Sequence, residues 1–169
     1  MIGGMEFFVY HRDRPGSLAL RAELVEAHWA YMDRFADRMI ARGPTFTGDI
    51  PTGSMHIVDL PDPAAARAFA FDEPSYQAGV YRDVLIRRWH RVHGGGTGEG
   101  DRYLVLGLGQ GEAPPAPQNP KGLIAYGSLL SDDGAAWLGT AALTTAPAVL
   151  KPEHYAAIEV HNWTVGGRR

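Results

Sequence analysis

The sequence contains no cysteine. Disulfides, thiolate nucleophiles and thiolate metal sites are therefore excluded, and a cytoplasmic location is the expectation. No apolar run approaches the roughly 18 residues of a membrane span. No basic block marks a phosphate-backbone partner, so neither membrane nor nucleic acid is expected as a partner. The opening residues, MIGGMEFFVY, lack the basic region and apolar core of a signal peptide. Nucleophilic catalysis has no G-x-S-x-G elbow to support it. Seven histidines are present, but no H-E-x-x-H spacing organises them, and no metal is expected.

What is present suffices for an ordinary core. Hydrophobic residues make up 45% and charged residues 21% of the 169 positions, with a net charge of -3. That length fits one domain, or two of fewer than about 100 residues each. The glycine-rich stretch GGGTGEG, residues 94–100, reads as a linker between a domain at 1–93 and a second part at 101–169. Residues 110–121, rich in proline and glycine, read as a loop.

In the first part, MEFFVYH reads as a strand. The periodicity predicts a long helix over residues 18–42, with Gly43 and Pro44 as its stop. Leu24, Val25, Tyr31, Met32, Phe35, Ala36, Met39 and Ile40 step by three and four along one face. A short strand is expected near Thr45, and GSMHIVDLP reads as a clear one. Asp62 is positioned as an N-cap with Pro63 at the first helical position, and AGVYRDVLIRRW closes the part as a strand. Strand, helix, strand, strand, helix, strand is the order of a split βαβ, ferredoxin-like unit, an α+β fold with an antiparallel sheet. Yet FFVY does not alternate apolar with polar, so both faces of the sheet are expected to be covered.

The second part repeats this pattern in reduced form. DRYLVLGLG matches the opening strand, and KPEHYAAIEVHNW parallels DEPSYQAGVYRDVLIRRW, with Trp163 in the place of Trp89. The proline-rich loop stands where the long helix would be. We read a degenerate internal repeat that kept its strands and lost its first helix.

The segments MEFFVYHRDRPGS, AHWAYMDRFADRMIARGP and TGSMHIVDLPDPAAARAFAFDEPSYQAGVYRDVLIRRW, taken together and in this order, resemble the YciI-like (YCII-related) family. The resemblance covers the span from Met5 to Trp89. It implies a dimeric α+β barrel of two ferredoxin-like units, here supplied by one chain as a monomeric pseudo-dimer, or else by a homodimer. It also implies a small-molecule ligand and an active-site pair of a first-helix histidine and an aspartate just before a proline. The histidine carries over to His28. The acid falls on Glu73, next to Pro74, with Asp72 adjacent. Glutamate there departs from the family pattern and leaves the partner open between the two.

The residues themselves leave His28 with two readings. It falls on the apolar stripe Leu24, His28, Met32, Phe35, Met39, where an imidazole needs a partner. It is either a core histidine bonded to backbone or a proton carrier oriented by a carboxylate. Tyr10, His11, Ser54, His56 and Tyr81, on or beside strands, are candidates for substrate contact. Arg82, Arg87 and Arg88 could hold an anion or simply be solvated. His90 and His93 read as a chance pair. The expected function is a cofactor-independent isomerase or lyase moving a proton with His28 and Glu73 or Asp72. The alternative is a non-catalytic ligand-binding module.

Overall fold

The apolar run after Gly4 forms strand β1, Met5–Asp13. The computed structural model describes residues 4–94, 100–119 and 121–167. By their internal contacts these fall into two units, one running to Ile86 and rejoined by the segment from Val165, the other spanning Arg87–Thr164. The fold is mixed α/β, with eight antiparallel strands and few helices among the described residues.

In the first unit, helices α1 (Leu18–Glu23) and α2 (Val25–Asp33) follow β1. The helix predicted over 18–42 thus ends early. Arg34 and Phe35 donate to the carbonyls of Tyr31 and Met32, three residues back, which tightens the last turn. A 3-10 turn at Ala36–Arg38 follows, and Met39, at φ -80 and ψ 122, starts strand β2, Met39–Thr47. Gly43 and Pro44 therefore lie inside a strand rather than marking a helix stop. The steps from Phe35 to Met39 suit a helix, but from Met39 the chain pairs with the next strand instead, a tertiary gain that overrides local pattern.

Strand β3, Ile50–Leu60, is the centre of this sheet. It pairs with β1 from Met5↔Leu60 to Arg12↔Gly53 and with β2 on its other side. Helix α3, Pro63–Phe71, begins as the sequence predicts, with Pro63 in its first turn and the Asp62 carboxylate accepting from Ala65 N–H at 2.8 Å. A second short helix, α4, Pro74–Gln77, is an element that the sequence reading did not include. Strand β4, Tyr81–His93, stands beside β1 and runs on through Ile86 and Arg87 into the second unit.

One face of the sheet packs against the helices. Phe7 and Val9 of β1 and Val58 and Leu60 of β3 meet Tyr31 and Met32 of α2 and Ala66, Phe69 and Ala70 of α3. Burying the valine, leucine, phenylalanine and methionine side chains among these stabilises the unit by about 1.5–3 kcal/mol apiece. Alternation sends Phe8, Tyr10, Met55 and Ile57 to the other face, and these too are buried.

The second unit contains β5 (Tyr103–Gly111), β6 (Leu123–Leu130), β7 (Trp137–Thr144) and β8 (Ala157–Trp163). β5 lies between β8 and β7, and β6 joins β7 to the later half of β4. The proline-rich stretch carries no helix among its described residues, and Ala116 packs with Val149 and Leu150 on Leu123, Tyr126 and Ala142. Residues 95–99 of the predicted linker lie outside the described residues.

Candidate functional site

His28 sits one turn before Met32 on α2, so both side chains point at the sheet. Its Nδ1 lies 2.9 Å from Glu73 Oε1. Glu73 joins α3 to α4 in an extended conformation, φ -65 and ψ 131, as the N-cap of α4 with Pro74 next to it. That geometry turns its carboxylate back onto the helix start. Oε1 also accepts from Ser75 N–H at 3.0 Å, and Oε2 from Tyr76 N–H at 2.8 Å. The glutamate is fully buried, whereas the His28 side chain keeps 17% of its exposure.

Burial alone would push the Glu73 carboxyl up. The His28 hydrogen bond and charge, with the two amide donors, outweigh it and hold the pKa below its ordinary value. Glu73 is therefore an anion at neutral pH, and an anion only accepts. His28 Nδ1 must carry the hydrogen, which leaves Nε2 of the neutral ring with its lone pair available for a proton. The ring is thus oriented by a buried carboxylate, and the His28 side is the partly exposed end of the contact.

Asp72, the other candidate acid, caps the C-terminus of α3 and is exposed. Glu73 is the acid in contact with His28. The choice follows from the cap: only the residue directly before Pro74 can bend its side chain onto the first amides of α4.

Two further histidines border the pair. The ring of His56, on β3, lies 5.6 Å from that of His28 and meets Phe69 edge-on at 5.8 Å. It is kept well below its usual pKa by burial first, then by the charges of His28, His11, Arg42 and Arg21. His11, on β1, donates Nε2–H to Ala70 O at 2.9 Å and stacks on Tyr81 with centroids 4.6 Å apart. Burial lowers its pKa to about 4, against the opposing pull of the Ala70 bond and the Glu73 charge. Both rings are neutral at pH 7.

Ser54 is paired with His11 across the strands, hence on the same face, and is buried. Tyr81 is held protonated by burial and by the charge of Glu73. His28, Glu73, His11, Ser54, His56 and Tyr81 therefore share the helix-covered side of the sheet. Tyr10 does not: it precedes His11, alternation sends it to the opposite face, and its hydroxyl bonds Thr45 Oγ1 at 2.9 Å. Arg82 is exposed, 3.9 Å from Asp83. Arg87, Arg88, His90 and His93 belong to the second unit. His93 Nε2 lies 3.2 Å from Pro117 O. No group of three or more metal-ligating side chains suited to an ion occurs among the described residues.

Sequence reasoning missed the Ser75 and Tyr76 amides and Arg21. Glu73-Pro74 carries the same N-cap and first-turn signature as Asp62-Pro63, and that signal could have found α4.

A YCII-related domain matches residues 5–90. An uncharacterised protein of Haemophilus influenzae is 28% identical over 97 residues, covering 52% of this chain and 99% of the relative. Among solved structures, 5-chloro-2-hydroxyhydroquinone dehydrochlorinase from Burkholderia phenoliruptrix, in complex with 2,5-dihydroxybenzoquinone, is 30% identical. It has a TM-score of 0.48 and covers 51% of this chain and 95% of that one. An anthrone oxidase-like protein is 10% identical with a TM-score of 0.55, over 97% of this chain and 91% of that one, a likeness of fold alone. No helix among the described residues is long and apolar enough to cross a membrane.

Proposed function

The chain belongs to the YCII-related family, and from that premise we propose that it is a small-molecule enzyme that moves a proton with His28 while Glu73 orients the ring. The observation that carries this reading is the 2.9 Å contact between His28 Nδ1 and a buried carboxylate held by two backbone amides. Nε2 takes a proton from the substrate, and the electron pair it leaves behind moves into the substrate. The imidazolium that forms is stabilised by the Glu73 anion. Returning the proton to a different atom completes an isomerisation. Expelling a leaving group with its electron pair completes an elimination.

Neutral His11 and His56, with Ser54 and Tyr81, supply hydrogen-bonding and stacking surfaces suited to a small cyclic or aromatic oxygenated metabolite. The test is turnover of a substrate found by thermal-shift screening of such compounds and followed by proton NMR. A folded His28→Ala protein should lose about 100-fold or more in rate. Unchanged turnover would refute the assignment.

The two units are read as copies of one ferredoxin-like unit, so that one chain supplies both halves of the family's dimeric α+β barrel. Support comes from their strand orders. In the first unit β4 is followed by β1, β3 and β2; in the second β8 is followed by β5, β7 and β6. A monomeric mass in size-exclusion chromatography agrees with this reading; an obligate homodimer speaks against it.

One observation favours a non-catalytic binding module as a second reading. Where Glu73 precedes Pro74, Lys151 precedes Pro152, and among the described residues the second unit has no counterpart of the His28 helix. An NMR titration separates the readings. A His28 resonance that responds to Glu73→Gln supports the enzyme, and one indifferent to it supports the module.

A further inference from the structure

The second unit covers its sheet more thinly than the first. Between β3 and β4 the chain forms α3, which buries Ala66, Phe69 and Ala70. Between β7 and β8 its described helical structure is the 3-10 turn Pro152–His154, which buries no residue. Beside that turn lies an open groove of about 530 Å3. Small-molecule sites span about 300–1,000 Å3. Pro147, Leu150, Pro152, Tyr155, Ile158 and Val160 line the groove together with three alanines, and none of these side chains carries a charge. Val160 is exposed there, an apolar side chain left in water.

The walls are fixed before anything binds. Thr145 N–H donates to Gly122 O at one end of the connecting segment, and Ala156 N–H to Leu108 O at the other, each at 2.8 Å. Pro147 and Pro152 lock φ in between. Tyr155 lies flat on β5. A Cβ at Gly107 would stand 2.5 Å from its ring and 2.9 Å from Leu150 Cδ1, so only glycine admits both side chains. The phenol donates to Thr140 Oγ1 at 2.8 Å, and the Trp137 ring stands 5.7 Å away. Burial above all pushes the Tyr155 pKa up to about 12, so this wall too is neutral.

We propose that this groove is a second small-molecule site, on a different unit from His28 and Glu73, and that it takes a neutral, largely apolar ring molecule. Such a ligand covers the apolar walls as α3 covers the sheet of the first unit, and removing those walls from water drives its binding. An ionic ligand finds no counter-charge among the lining residues. The Tyr155 ring and the two prolines offer flat faces that suit a ring. A second copy of the chain is a poor occupant. A stable interface takes about 20–30 residues a side, whereas nine line the groove.

The probe is N-phenyl-1-naphthylamine, a neutral fluorophore that brightens in apolar surroundings, titrated into the full chain. One saturable site is expected. Ala148→Trp, at an exposed lining position, fills the groove and should weaken binding at least about tenfold. Val160→Glu sets a charge on another wall and should weaken it about fivefold, a check that stands if the first variant misfolds. Ala135→Trp, exposed and outside the lining, should leave affinity within about twofold. Anionic 1-naphthalenesulfonate should bind at least about tenfold more weakly than the neutral probe. Several outcomes overturn the proposal. They are no saturable signal, equal affinity for the anion, or indifference to both lining variants. Loss of the signal in His28→Ala with the lining variants unaffected, or a dimer that Ala148→Trp makes monomeric, also does so. The enzymatic reading stands or falls separately, on turnover by His28→Ala.

Discussion

Replacing His11 with glutamine should remove a defined part of the acid sensitivity of folding. His11 is fully buried and neutral, with a pKa lowered to about 4 mainly by desolvation. In the unfolded chain it returns to about 6.5. Between those values the unfolded state binds a proton that the folded state refuses, so stability falls as pH falls through that window. The contribution is fully present above about pH 6.5 and is lost progressively toward about pH 4. One pKa unit corresponds to about 1.4 kcal/mol, so the whole shift amounts to about 3 kcal/mol, of which about 2 kcal/mol is lost between pH 7 and pH 5. Glutamine places an amide near the position of Nε2 and can keep donating to Ala70 O, but it does not titrate. The assay is urea unfolding followed by circular dichroism at pH 7 and pH 5 for both proteins. Groups titrating alike in both cancel in the double difference, which should be about 2 kcal/mol. A double difference below about 0.5 kcal/mol would show that burial does not hold His11 neutral.

Other expectations follow from the same geometry. Glu73→Gln should cut turnover about 100-fold, because it removes the anion that stabilises the His28 imidazolium. It should also flatten the acid limb of stability: the lowered Glu73 pKa makes the ionised form stabilising above the ordinary carboxylate range, a contribution lost as pH falls through the lowered value. Asp72→Asn, at an exposed position, should shift stability by no more than about 0.5 kcal/mol in a melt and leave turnover within about twofold. Met32→Ala should cost about 2–5 kcal/mol in urea unfolding, since it opens a cavity between α2 and the sheet.

Local signals carried much of the first unit. β1, β3 and the Asp62-Pro63 helix start were legible because apolar runs and caps act over a few residues. The end of α2 was not, because the spacing of Phe35, Met39 and Ile40 satisfies a helix, while pairing with β3 decides for a strand. Tyr10 and His11 could not be sorted in advance. Alternation puts one on each face, but FFVY is apolar on both, so the sequence does not say which face the helices cover. His28 was legible from its place in the stripe. The contest between Asp72 and Glu73 was decided by backbone geometry at Pro74, in a helix of four residues too short to announce itself by periodicity.

The carboxylate before Pro74 has a double life that the second unit throws into relief. Each unit has a proline opening a short helical segment. Behind glutamate that segment is a capped α-helix; behind Lys151 it is a three-residue 3-10 turn with no side-chain cap. The carboxylate that contacts the histidine is thus also the N-cap of its own helix. This residue cannot be swapped silently, because the helix it caps would lose both amide bonds with it. The converse is an engineering route: Lys151→Glu asks whether one capping side chain can turn the three-residue 3-10 segment into a capped helix.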